Sequence, residues 1–152
     1  MDALQQLYQQ LILEHSKKPH GRVASGSLSA GGSGISHQVN PTCGDEITLQ
    51  VVTDGGVVKE VAWEGQGCSI SQAAASVMTD LVVGESVAEA GALNELFHEL
   101  MRSRGKGLPD DDEEALGDAT AFTGVSQYPA RIKCALLGWE ALKDALGQAA
   151  ES

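Results

Sequence analysis

The chain has 152 residues, 42% of them hydrophobic but only 4% aromatic, and a formal net charge of −11. That length suits one domain with a core of its own, which aliphatic side chains and alanine must fill. The acidic balance argues against non-specific nucleic-acid binding and against anchoring on an anionic membrane, because both reward clustered Lys and Arg.

The opening MDALQQLYQQ has no basic region ahead of an apolar core, so it does not read as a signal peptide. No run approaches the ~18 apolar residues of a membrane span. A cytoplasmic protein with reduced thiols is expected. Leu4, Leu7, Tyr8, Leu11 and Ile12 recur at helical spacing and predict an amphipathic helix ending before Pro19. Residues 24–34, ASGSLSAGGSG, read as a flexible Gly/Ser loop. ISHQV, ITLQVVT and VVKEVAWEG predict three short strands, the last two joined by a hairpin turn at Asp54-Gly55-Gly56. Ser69 or Ser71 is placed to cap a helix through QAAASVMTDLVV that Gly84 closes. Another helix is predicted over 86–102, with Leu93, Leu96, Phe97 and Leu100 on one face. Pro109 and the acids after it resemble a helix start in solvent, although the acidic run could also dock a partner. The last helix begins near Pro129 and turns Ile132, Leu136, Trp139 and Leu146 inward. Strands followed by helices predict an α+β domain, its helices packed on a small three-stranded antiparallel sheet.

Three cysteines cannot all pair within one chain, which leaves metal binding or thiol chemistry. In PTCGDE, Gly44 can adopt backbone angles closed to other residues, letting the side chains of Cys43 and Asp45 converge. The fragment is equally compatible with a turn and a bystander thiol. Cys68 follows Gly65 and Gly67 and immediately precedes a helix start, where amides and the helix dipole stabilise a thiolate. Cys134 lies in the first turns of the last helix, with Arg131 and Lys133 beside it. Buried inert cysteine is the common alternative, and the spacings are unlike the short clips of zinc fingers. A metal site here would have to be assembled by the fold. Among the histidines, His15 suits the end of the first helix, His20 a solvated turn, His37 the neighbourhood of the proposed site, and His98 a helix surface. Trp63 and Trp139 are expected in the core.

NPTCGD at 40–45, GQGCSIS at 65–71 and ARIKCALLGW at 130–139 resemble the three signature segments of SufU-type sulfur-transfer proteins. These are relatives of the iron–sulfur scaffolds in the IscU/NifU N-terminal-like family. LYQQLILEHSKKPHG resembles that family's first helix and following turn. The scaffold branch carries a histidine directly before its last cysteine, where this chain has Lys133, and residues 103–120 resemble the SufU insertion. The resemblance implies a single IscU-like (SufE/NifU-like) domain over 1–152, with zinc held by Cys43, Asp45, Cys68 and Cys134. It further implies a zinc-dependent sulfurtransferase in which Cys43 takes persulfide sulfur from a SufS-type cysteine desulfurase for a downstream SufBCD-type scaffold. In the family, a histidine of the desulfurase replaces the first cysteine on zinc and frees it. Three thiolates, one carboxylate and Zn²⁺ sum to about −2, a tetrahedral set of the kind zinc takes. Two other readings remain: a scaffold assembling a [2Fe–2S] cluster on the same ligands, and a non-catalytic module that zinc only braces.

Overall fold

A computed structural model describes residues 3–24, 26, 28, 33–41 and 44–151. The elements, in order, are α1 (Ala3–Lys17), β1 (Gly34–Asn40), β2 (Asp45–Asp54), β3 (Val57–Gln66), α2 (Ser69–Val82), α3 (Val87–Arg102), α4 (Asp110–Leu116), a 3-10 helix (Gly117–Gln127) and α5 (Pro129–Glu151). The three strands form one antiparallel sheet in the order β1-β2-β3. The α+β expectation and the three strands therefore hold. β1 starts at Gly34, one residue inside the stretch read as loop, and most of the rest of that stretch lies outside the described residues.

Side chains alternate across a strand, so each strand presents one row to the helices. Ser36, Leu49 and Trp63 lie across from one another in one such row, and all three are buried. Ile35, His37 and Val39 point to the other side and are exposed. The helices α5 and α2 pack on the inner rows. Their crossing is close because small residues meet there: a Cβ on Gly138 would come within 3.1 Å of the Ala75 Cβ. The β2–β3 turn uses Gly55 at φ 60° and Gly56 at φ 79°, the positive pair a two-residue hairpin loop needs.

The few large rings are spent in the core. Trp63, Trp139, Phe97 and Phe122 are all fully buried. Phe97 of α3 stacks on Trp139 of α5 with centroids 4.7 Å apart and meets Phe122 of the 3-10 helix edge-on at 5.9 Å. This trio joins three elements of the second half of the chain, and such ring pairs add ~0.5–1.5 kcal/mol each beyond their buried area.

α1 departs from expectation: Leu4 and Leu7 are 54% and 59% exposed, and only Leu11 and Ile12 of the predicted stripe pack against the core. The helix rests mainly on α2 and the 3-10 helix, and its apolar contacts with the core come from its second half. In α5, Ile132 and Leu136 are half-buried, while Ala135, Ala141, Leu142 and Ala145 are fully buried beside Trp139. Trp139 and Leu146 thus turn inward as expected, joined there by small residues. The 3-10 helix buries Ala119, Ala121, Phe122 and Val125. The 3-10 helix after the acidic run is thus a packed element, while Asp110, Asp111, Asp112 and Glu113 stand on the first turn of α4. Among the described residues no helix is long and apolar enough to cross a membrane.

Candidate metal centre

Asp45 opens β2 opposite Asn40 and shares the inner row with Ile47 and Leu49, which leaves it 4% exposed. The β1–β2 connection is closed by the Gly44 N–H donating to the Asn40 carbonyl at 2.8 Å. Gly44 has φ 75°, in the left-handed region that favours glycine, and no described residue stands within 4 Å of where its Cβ would be. Cys43 lies outside the described residues.

Cys68 is itself the N-cap of α2, in extended conformation, in place of the serine the sequence suggested. Its amide donates to Asp45 Oδ1 at 3.1 Å, tying the helix start to the strand start. The Ser71 hydroxyl is turned back onto the Cys68 carbonyl at 3.0 Å, and its oxygen lies 3.8 Å from the Cys68 sulfur. Gly67 makes this possible, because a Cβ there would meet Ser71 Oγ at 2.4 Å and Asp45 Cγ at 2.9 Å. Cys134, in the second turn of α5, is 7% exposed with its sulfur 3.7 Å from the Ala130 carbonyl. Cys68 is exposed, and neither cysteine is joined in a disulfide among the described residues.

These pieces meet. One ligand atom each from Asp45, Cys68 and Cys134 lies within 4.8 Å of the other two. Tetrahedral zinc with Zn–S near 2.3 Å and Zn–O near 2.1 Å sets its donors roughly 3.5–3.8 Å apart. The trio needs only a small closure to grip an ion, and two thiols with a carboxylate are a donor set zinc accepts.

The other polar residues named from the sequence go elsewhere. His37 is on the outer row, with Nε2 3.3 Å from Glu46 Oε2, and the sheet separates it from Asp45. His98 is not on the surface: its side chain is 15% exposed, bridging the Asn94 carbonyl at 2.8 Å and Glu140 at 2.7 Å between α3 and α5. Arg131 lies over the Tyr128 ring at 5.4 Å, and Lys133 is exposed. The residues missed from the sequence are Ser71 as a partner of Cys68 and Gly67 as the space for Asp45. The only hint of either was the pair of glycines before Cys68.

The description "NifU-like N terminal domain" matches residues 7–135. The zinc-dependent sulfurtransferase SufU of Bacillus subtilis (strain 168) is 41% identical over 141 residues, 92% of this chain and 89% of its own. The iron-sulfur cluster assembly scaffold protein IscU of Streptococcus pyogenes serotype M1 is 39% identical over 152 residues, 100% of this chain and 90% of its own. Among solved structures, FiSufU from thermophilic Fervidobacterium islandicum AW-1 superposes with a TM-score of 0.77 at 34% identity, covering 93% of this chain and 97% of that one. The chain belongs to the NifU-like N-terminal domain family, the family of SufU- and IscU-type proteins of iron–sulfur cluster assembly.

Proposed function

We propose that the protein is a zinc-dependent sulfurtransferase that accepts persulfide sulfur from a SufS-type cysteine desulfurase and passes it toward a SufBCD-type scaffold. The observation that carries this reading is the approach of Asp45, Cys68 and Cys134 to within 4.8 Å of one another. Lys133 in place of a histidine before the last cysteine, and the 103–120 segment, support the transfer branch over the scaffold branch. So does the likeness to a relative named as a sulfurtransferase. The chain acts as one domain in the cytoplasm, where its thiols stay reduced.

Asp45, Cys68, Cys134 and Cys43 hold the ion. Zinc, when bound, keeps thiols deprotonated and brings no redox chemistry of its own. Cys43 is the acceptor. Its thiolate attacks the outer sulfur of the partner's persulfide, so a sulfur–sulfur bond forms on Cys43 while the one in the donor breaks. The desulfurase cysteine leaves as a thiolate, and no net oxidation or reduction occurs. Asp45, Cys68 and Cys134 are fixed by a strand and two helices, and Cys43 stands between Pro41 and Gly44 in the sequence.

A second reading is a [2Fe–2S] scaffold on the same donors, favoured by relatives that carry the scaffold name. The deciding experiment mixes the purified protein with its desulfurase and labelled cysteine, then maps sulfur by mass spectrometry. Labelled persulfide on Cys43, lost when zinc is stripped, supports transfer. Cluster absorption formed and passed on at competent rates supports the scaffold. If no cysteine carries sulfur and the desulfurase is not stimulated, the ion only braces the fold.

A further inference from the structure

A second group of metal-ligating side chains stands away from the cysteines. His15 is in the last turn of α1, His20 in the turn that follows Pro19, and Asp80 on α2. One ligand atom from each lies within 4.8 Å of the other two. Asp80 is twelve positions beyond Cys68, roughly 18 Å along the helix at 1.5 Å per residue, so the two groups sit near opposite ends of α2.

The arrangement around this group resembles a built site more than a chance surface pair. Ser76, fully buried on α2 one turn before Asp80, accepts the His20 backbone N–H at 2.7 Å and lies 2.6 Å from His15 Nδ1. One hydroxyl therefore sets both histidines. With Nδ1 engaged by that oxygen, His15 presents Nε2 as its ligand nitrogen, the arrangement outer partners impose on metal-bound imidazoles. The His20 carbonyl is held by the indole N–H of buried Trp63 at 3.0 Å, so the His20 backbone is fixed from two sides. The two rings lie with centroids 4.9 Å apart at 60°. His20 Nδ1 and Asp80 Oδ2 are 2.7 Å apart and about half exposed (53% and 51%), which leaves solvent a path to the group.

We propose that His15, His20 and Asp80 form a second cation site, for a borderline divalent ion of the zinc, cobalt or nickel kind. Two imidazoles and one carboxylate suit these ions, whereas calcium and magnesium take oxygen donors. Occupation requires the His20–Asp80 pair to open from hydrogen-bonding distance to the roughly 3.3 Å between neighbouring donors on such an ion. Water fills the remaining positions, so the site is weaker than the cysteine centre. Its effect is mechanical. None of the residues of α1 is fully buried, and an ion here clamps its end to α2.

The test uses the full chain with its cysteine-site metal content measured before and after. Ni²⁺ is titrated by calorimetry while the ring signals of the four histidines are followed by NMR. The expected result is one added equivalent that broadens the His15 and His20 signals and leaves His37 and His98 sharp, with no zinc released. Asp80→Asn and His20→Asn, both at half-exposed positions and checked for unchanged thermal unfolding, weaken that binding at least tenfold. The proposal is overturned if no added equivalent binds, if the variants bind as the parent does, or if the nickel signals fall on His37 or His98.

Discussion

Replacing Gly67 by alanine probes the metal centre through space alone. Gly67 is not among the glycines with positive φ, so the new residue brings no backbone strain; fewer unfolded conformations would even favour it by ~0.4–1 kcal/mol. The methyl, however, would lie 2.4 Å from Ser71 Oγ and 2.9 and 3.0 Å from Asp45 Cγ and Oδ1. Ser71 can rotate away, losing its bond to the Cys68 carbonyl at about 1 kcal/mol. Asp45 is buried at the start of a strand, and its retreat breaks the bond to the Cys68 amide. A hydrogen bond to a charged group is worth ~1.5–3 kcal/mol, so the apo protein should lose roughly 2–3 kcal/mol in all after the entropic gain. Displacing a ligand and its support should weaken zinc binding by about 10- to 100-fold. Competition with a chromophoric chelator measures the second quantity and denaturant unfolding of the stripped protein the first. A folded Gly67→Ala that held zinc as the parent does would refute the role given to Asp45. Gly44→Ala is the contrast. There the methyl meets no described residue within 4 Å, and the cost of positive φ remains, about 1–2 kcal/mol.

Asp45→Ala should lower zinc retention by more than tenfold in the same competition assay, the effect expected for a ligand; unchanged zinc content would place the carboxylate outside the coordination sphere. Cys43→Ser should keep appreciable zinc by metal analysis yet take no labelled sulfur from the desulfurase, and full transfer by that variant would refute the acceptor assignment. Asn94→Ala removes a buried 2.8 Å bond from Nδ2 to the Trp139 carbonyl. It should cost ~1–3 kcal/mol in chemical denaturation while leaving zinc affinity unchanged, because it lies between α3 and α5 rather than at the centre.

Local chemistry was legible from residues alone: the Gly55-Gly56 turn, the backbone freedom of Gly44, and the α5 start at Pro129. Tertiary choices were not. Leu4 and Leu7 lie on a helical stripe yet stay more than half exposed. His20 is exposed in a turn, as expected, but its partners, Asp80 and Ser76, were not legible because they are 60 and 56 residues away. His98 sits between α3 and α5 for the same reason. The 3-10 helix was hidden because its small polar sequence, GDATAFTGVSQ, carries neither period of a regular element.

Why the proposed metal donors nevertheless meet can be traced through the strand register. Asp54 pairs with Val57 and Thr53 with Val58, but Val52 pairs with Glu60, so Lys59 is an extra residue in β3. A one-residue offset exchanges the faces of a strand. Without it Leu49 would lie opposite Ala62 and the Trp63 indole would point to solvent. With it Trp63 joins the inner row and Glu46 pairs with Gln66, which brings the end of β3 beside the start of β2. Gly67 and Cys68 follow at once, so Asp45 and Cys68 become neighbours through the hairpin, 23 residues apart though they are. Cys134 arrives by packing. A Cβ on Gly138, one turn beyond it, would stand 3.7 Å from Ile47 Cδ1 and 3.1 Å from Ala75, so α5 is seated over the inner row two residues from Asp45. Removing Lys59 should therefore disturb both the core and the metal site, because the same bulge sets the register on which each depends.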